Sequence, residues 1–160
     1  MRRPLVPIAA AVVVLAGLAA VPATAARPAA STFIKGVVRQ IVRNDYAHAW
    51  LSLHPAQQQL VPKDDYVRCE EQSPVAGRLV WIKVVRVADA RFKVGGVKGR
   101  VAGKAVTVRI KLADDVAGDT VVVTHTAHAV WVGGSWRWIL PAERIGIYGS
   151  TACKTGTPGP

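Results

Sequence analysis

Residues 78–112 read RLVWIKVVRVADARFKVGGVKGRVAGKAVTVRIKL. Near the end of this stretch Val106, Val108, Ile110 and Leu112 alternate with Thr107, Arg109 and Lys111. An apolar-polar alternation with period two marks a strand with one wet face. Leu79 to Val87 is apolar at both parities, which predicts a central strand. Phe92-Lys93-Val94 and Val97-Lys98 flank Gly95-Gly96, which predicts a hairpin with a two-residue glycine turn. A second turn centred on Gly103-Lys104 then returns the chain. Further on, residues 113–119 form an acidic turn and Thr120 to Val132 a long strand. Gly133-Gly134 turns the chain into Trp136 to Leu140, and Arg144 to Tyr148 adds a little more strand. The whole of this half predicts an antiparallel meander.

Upstream the period changes. Phe33, Ile34, Val37, Val38, Ile41, Val42, Tyr46, Ala49, Trp50 and Leu53 recur at steps of three and four, so they share one face of a helix. Ser31 or Thr32 caps it. His54-Pro55 ends it, because a residue before proline avoids the helical region. Pro55 opens a short helix over 55–60, Pro62 breaks it, and Lys63 to Glu70 forms a third, with Tyr66 and Cys69 on one side. Helices first and strands afterwards predict an α+β domain: a long N-terminal helix plus short helices packed on a curved antiparallel sheet. No internal repeat is visible.

The N-terminus reads as an address. Arg2 and Arg3 precede an apolar run from Ile8 to Ala20, and Ala23-Thr24-Ala25 is a small-x-small cleavage site. The run is shorter than the roughly 20 residues a membrane span needs. We therefore expect a signal peptide over 1–25, export to the cell exterior, and no transmembrane segment in the mature chain. Residues 26–31 form a Pro/Ala linker, 32–153 one domain, and 154–160 a flexible tail. A chain of 160 residues, 51% hydrophobic and with five Trp, allows one domain and excludes wholesale disorder. Two Cys exclude a disulfide-dense miniprotein and a cysteine zinc site. An even pair in an oxidising compartment predicts a Cys69–Cys153 disulfide.

Several phrases resemble a known family. The helix ending in an aromatic runs into Leu53-His54-Pro55-Ala56-Gln57-Gln58; Tyr66-Val67-Arg68-Cys69 lies on a short helix; a late hairpin closes with Gly134-Ser135-Trp136-Arg137-Trp138. This is similar to secreted bacterial members of the nuclear transport factor 2-like superfamily, the cystatin-like cone. The resemblance implies a pocket between the helix and the concave sheet face. It implies either a small isomerase, cyclase or hydratase or a non-catalytic binding module, and it leaves room for a homodimer through the sheet's outer face.

Catalysis of that kind needs a carboxylate or histidine inside the pocket. The strands carry almost none: Asp89 is the single acid between Arg78 and Leu112, and Thr120 to Leu140 has none. The remaining acids, Glu70 among them, read as cap, turn or surface residues. His125 and His128 lie three apart, hence on opposite faces of a strand, and cannot share a metal. Either one, with Tyr46, is the catalytic candidate; His48 and His54 read as surface or turn residues. Tyr46, Trp50 and Trp138 are expected to line the pocket. Trp131, Trp136 and Trp138 share a face, as core or as a platform for a flat ligand. No cofactor motif or metal-ligand spacing appears. An ionisable group beside a tyrosine in the cone would favour an enzyme; an apolar or filled cone would favour a module. The absence of strand carboxylates favours the non-catalytic module.

Charge is unevenly spread. The chain carries 21 Lys and Arg against 10 Asp and Glu. Ten of those bases, with Asp89 as the one acid, lie between Arg78 and Lys111. With the two turns above, Lys93 faces Lys98, Arg91 faces Arg100, and Lys98 faces Arg109. Arg91, Lys93, Lys98, Arg100 and Arg109 then form one stripe, with Phe92, Val94, Val97, Val101 and Val108 buried behind it. Such a stripe suits an anionic envelope partner, a wall polymer or lipid headgroup. Nucleic acid is disfavoured by export and by the lack of any binding motif of that class.

Overall fold

The structure, a computed structural model, describes residues 27–114, 118–148 and 153. The predicted signal peptide and tail lie outside the described residues. Four helices, α1 (Ala30–Val42), α2 (Tyr46–Leu51), α3 (Pro55–Leu60) and α4 (Lys63–Glu71), precede β1 (Arg78–Lys93), β2 (Arg100–Ala113), β3 (Thr120–Val132) and β4 (Ser135–Ile139). A fifth helix, α5 (Ala142–Tyr148), follows. The four strands form one antiparallel sheet in sequence order.

The amphipathic face of α1 forms the core. Ile34, Val37, Val38 and Val42 cluster with Val106, Val108, Ile110, Ala127 and Ala129 of the sheet. Each fully buried Val or Ile contributes about 1.5–3 kcal/mol. The helix begins at Ala30 after Ala29, without the expected Ser31 or Thr32 cap. It also stops eleven residues short of Leu53. Asn44 adopts a left-handed backbone with φ 58°, and Asp45 caps α2. The Asn44 side-chain oxygen accepts from the Tyr46 hydroxyl (2.7 Å) and from Val75 N–H (3.0 Å). The corner is thus fastened on both sides, and it redirects Tyr46, Ala49 and Leu53 into the core.

Beyond α2 the chain joins the sheet briefly. Leu53 bridges Trp138, with His54 N–H donating to the Trp138 carbonyl and Trp138 N–H to Ser52, each at 3.0 Å. His54 therefore occupies a turn, one of the two expected alternatives, but is buried, and its Nδ1 accepts from Ala56 N–H to start α3. Gln57, fully buried, donates to the Leu140 carbonyl and accepts from Leu140 N–H, both at 2.9 Å.

The β1–β2 hairpin departs most from expectation. Gly95-Gly96 is not a two-residue turn. β1 runs on to Lys93, which faces Arg100, and residues 94–99 form a six-residue loop. No turn exists at Gly103-Lys104. Gly103 lies within β2, where a Cβ would run into the Ala129 carbonyl and the Phe92 ring. The cause is tertiary. Val94 and Val97 of the loop pack with Phe92, Val101, Val130, Val132 and Ile139 into a second cluster. Val108 belongs to the main core instead, on the opposite face. β1 is an edge strand, not a central one. Arg144 to Tyr148 is helical, part of α5, not strand.

The disulfide forms as predicted, Cys69 to Cys153, with S–S 2.05 Å and Cα–Cα 5.0 Å. The Cys153 carbonyl also accepts from Gln72 Nε2 at 2.9 Å.

Candidate functional site

Between α1 and the sheet lies a cavity of about 430 Å³. Its walls are aliphatic: Val37, Val38, Ile41 and Val42 from α1, and Ile110, Leu112, Val123 and Ala127 from the strands. β4 pairs only with His128–Val132, so the first half of β3 is unpaired on that side among the described residues, and Val123 and His125 from it line the cavity.

One end is polar. Glu70 (from α4), Arg144 and Tyr148 (from α5) meet Tyr66 there. The Tyr148 hydroxyl and an Arg144 N–H both donate to the same Glu70 oxygen, and Arg144 donates again to the Tyr148 oxygen at 2.9 Å. Burial, with the Glu70 charge beside it, pushes the Tyr148 phenol well above its usual range. Burial does the same to Tyr66, whose ring lies 5.2 Å from that of Tyr148. Among the described residues nothing hydrogen-bonds the Tyr66 hydroxyl. Glu70, expected at a cap, turn or surface position, lies instead at the polar end of the cavity. Its spacing of four from Tyr66 places both on one helical face, and that spacing was the signal available in the sequence.

His125 stands on the cavity side, paired across the sheet with Val108. The residue is exposed, but partial desolvation of its ring favours the neutral form, and no hydrogen-bond partner meets it among the described residues. His128 points to the other face, where it stacks on Phe92 at 4.2 Å between ring centres, while still edging the cavity. Among the described residues no three His, Cys, Asp or Glu side chains gather as metal ligands.

The structure places the aromatic candidates as follows. Trp138 lines the cavity and donates to the Ala49 carbonyl at 2.8 Å. Tyr46 and Trp50 are not among the lining residues. The Tyr46 hydroxyl is spent on Asn44, and Trp50 donates to the Val61 carbonyl at 2.8 Å. Trp131 faces Trp136 edge-on, but the Arg27 guanidinium covers both rings at 4.3 and 4.0 Å. They are no free platform for a flat ligand.

The basic residues do not form the expected stripe. Lys93 faces Arg100, and Arg91 faces Ala102. Arg91 and Arg100 donate to each other's carbonyls. Lys98 lies in the loop. Arg109 lies in mid-sheet, between Lys83 and Thr124. The misplaced turn is the reason: it shifts every pair beyond Gly95.

The chain matches no protein-family model, no curated protein and no solved structure. What it does must come from the geometry.

A pH dependence follows. Burial is the leading cause holding His54, His125 and His128 below their ordinary value near 6.5. A depressed histidine favours the neutral, folded form. Its contribution is therefore complete above the unfolded value and is lost as pH falls from there toward the folded one. Melting temperature should be flat above neutrality and should fall as pH drops below about 6.5. A melt unchanged between neutral and mildly acidic buffer would show that the three rings titrate normally.

Proposed function

We propose that this chain is a non-catalytic, exported binding module of the nuclear transport factor 2-like type, with the cavity between α1 and the sheet as its ligand site. The cavity volume falls within the range of about 300–1,000 Å³ typical of small-molecule sites. Its aliphatic walls suit a small, mainly apolar molecule. The free Tyr66 hydroxyl and the His125 ring can meet one polar group on that molecule. The observation that carries the non-catalytic reading is the state of Glu70. Its carboxylate already accepts from Arg144 and Tyr148, so it serves as a clasp between α4 and α5. A general base must be able to reach the substrate's proton, and this clasp ties the carboxylate to α5 through one of its oxygens.

The second reading is a small enzyme of isomerase, cyclase or hydratase type. One observation favours it: His125 lines the cavity, is shifted toward its neutral form and has no hydrogen-bond partner among the described residues, with tyrosines on the same walls. That combination meets the condition set for an enzyme, but no hydrogen bond joins His125 to a tyrosine or carboxylate among the described residues.

Ala127 is the smallest side chain on the strand walls, so Ala127→Phe should fill the space. The exported protein should bind the neutral apolar dye Nile red saturably, and the variant should lose that binding. Overpacking should lower stability by about 1–3 kcal/mol, leaving the fold intact. If the folded variant binds the dye as the parent does, the cavity is not the site. If a molecule recovered with the parent is converted on incubation, and His125→Gln stops the conversion, the enzyme reading replaces the module.

A further inference from the structure

The face of the sheet turned away from α1 carries a second surface. Two register shifts interrupt β1, between Leu79 and Trp81 and between Val84 and Arg86. Each adds one residue, Val80 and Val85, that has no partner on β2. A bulge of this kind puts two successive residues on the same side of the sheet. Leu79, Ile82 and Val84 stay packed against the core. Val80 and Val85 belong to neither core cluster and are exposed, at 44% and 58%. They flank Trp81, Lys83 and Arg86.

The same face holds four cations. Lys83 is directly opposite Arg109, Trp81 opposite Lys111, and Arg86 opposite Thr107. The Lys83 ammonium lies 4.9 Å from the centre of the Trp81 ring. No carboxylate forms an ion pair with any of the four among the described residues; the sheet's one acid, Asp89, is taken by Lys104. Like charges placed opposite each other destabilise a sheet. Exposed valines beside them gain nothing from water. The two features make sense together against a surface that is anionic and apolar at once.

We propose that this face docks on an anionic lipid bilayer. The cations meet headgroup phosphates, while Val80, Val85 and Trp81 enter the boundary between headgroups and acyl chains. A soluble polyanion would use the cations alone and would leave the two extruded valines unexplained. The surface is separate from the cavity, so it stands whether or not the cavity binds a small molecule.

The test is co-sedimentation of exported protein with vesicles. One set contains equal parts phosphatidylglycerol and phosphatidylcholine, the other phosphatidylcholine alone. The N-terminus is established by sequencing and is identical in every variant. Parent protein should bind the anionic vesicles, weakly or not at all the neutral ones, and less at high salt. Lys83→Gln with Arg109→Gln should weaken binding at least about tenfold, since each cation near such a surface is worth roughly fivefold. Val80→Ser with Val85→Ser should also weaken vesicle binding about tenfold or more, yet leave retention on immobilised polyphosphate unchanged. Should either double variant melt early, Arg86→Gln and Val85→Ser carry the same comparison singly. Vesicle binding that survives the valine changes but not the charge changes would make this a polyanion surface and overturn the proposal. Equal binding to both vesicle types, or no loss in the charge variant, would overturn it as well.

Discussion

Reducing the Cys69–Cys153 disulfide should destabilise the protein by about 4–5 kcal/mol, the chain-entropy value for so long a closed loop. The two cysteines are 84 residues apart. The effect should exceed simple loop closure in one respect. Cys69 adjoins Glu70, and the Cys153 carbonyl holds Arg68 of α4 and Gln72 just beyond its end. Loss of the bond should therefore loosen the polar wall of the cavity before the sheet melts. Denaturant unfolding with and without reductant gives the free energy. Hydrogen exchange at α4 gives the order of events. A reduced protein as stable as the oxidised one would mean that α4 is held by Tyr66, Tyr148 and their neighbours alone.

Gln57→Leu should cost about 2–5 kcal/mol. The wild-type amide satisfies both the N–H and the carbonyl of Leu140, deep inside the fold. Each buried group left unpaired costs about 1–3 kcal/mol, offset in part by the added apolar contact. Gln57→Glu should also destabilise, because a carboxylate can accept from Leu140 N–H but cannot donate to its carbonyl. Equilibrium unfolding checks both. A loss under about 0.5 kcal/mol, the scale of an ordinary surface substitution, would show that Leu140 has found other partners.

Much of the fold was legible because its determinants are local. Period two in Val106–Leu112, the strand run Thr120–Val132, the Gly133-Gly134 turn and Pro55 at the head of α3 each act within a few residues. The disulfide followed from chemistry and from there being a single pair. What misled was also local. Gly95-Gly96 is a strong hairpin signal, yet the loop is set by Val94 and Val97 packing on Val130 and Ile139, more than thirty residues away. The break at Asn44 was readable in principle. Asparagine tolerates the left-handed region, and an aspartate after it can cap a new helix. The cavity's polar end was legible only by halves. The sequence puts Tyr66 and Glu70 on one face of α4, but Arg144 and Tyr148 reach them only once α5 packs on α4. The unpaired valines of β1 were hidden because a register shift belongs to two strands at once and leaves no mark on either alone.

Leu53 pairs with Trp138, Gln57 with Leu140, and Trp136 donates to the Pro28 carbonyl across 108 residues. The N-terminal segment and the helices that follow it are thus completed by residues 136–140. A ribosome that has delivered α1 to α4 has delivered nothing able to stand alone, since the partners of those helices are still unmade. Such a chain acquires its structure late and nearly all at once, on the slower timescale of folds dominated by distant contacts. Truncation anywhere before β4 should leave not a smaller domain but an open chain.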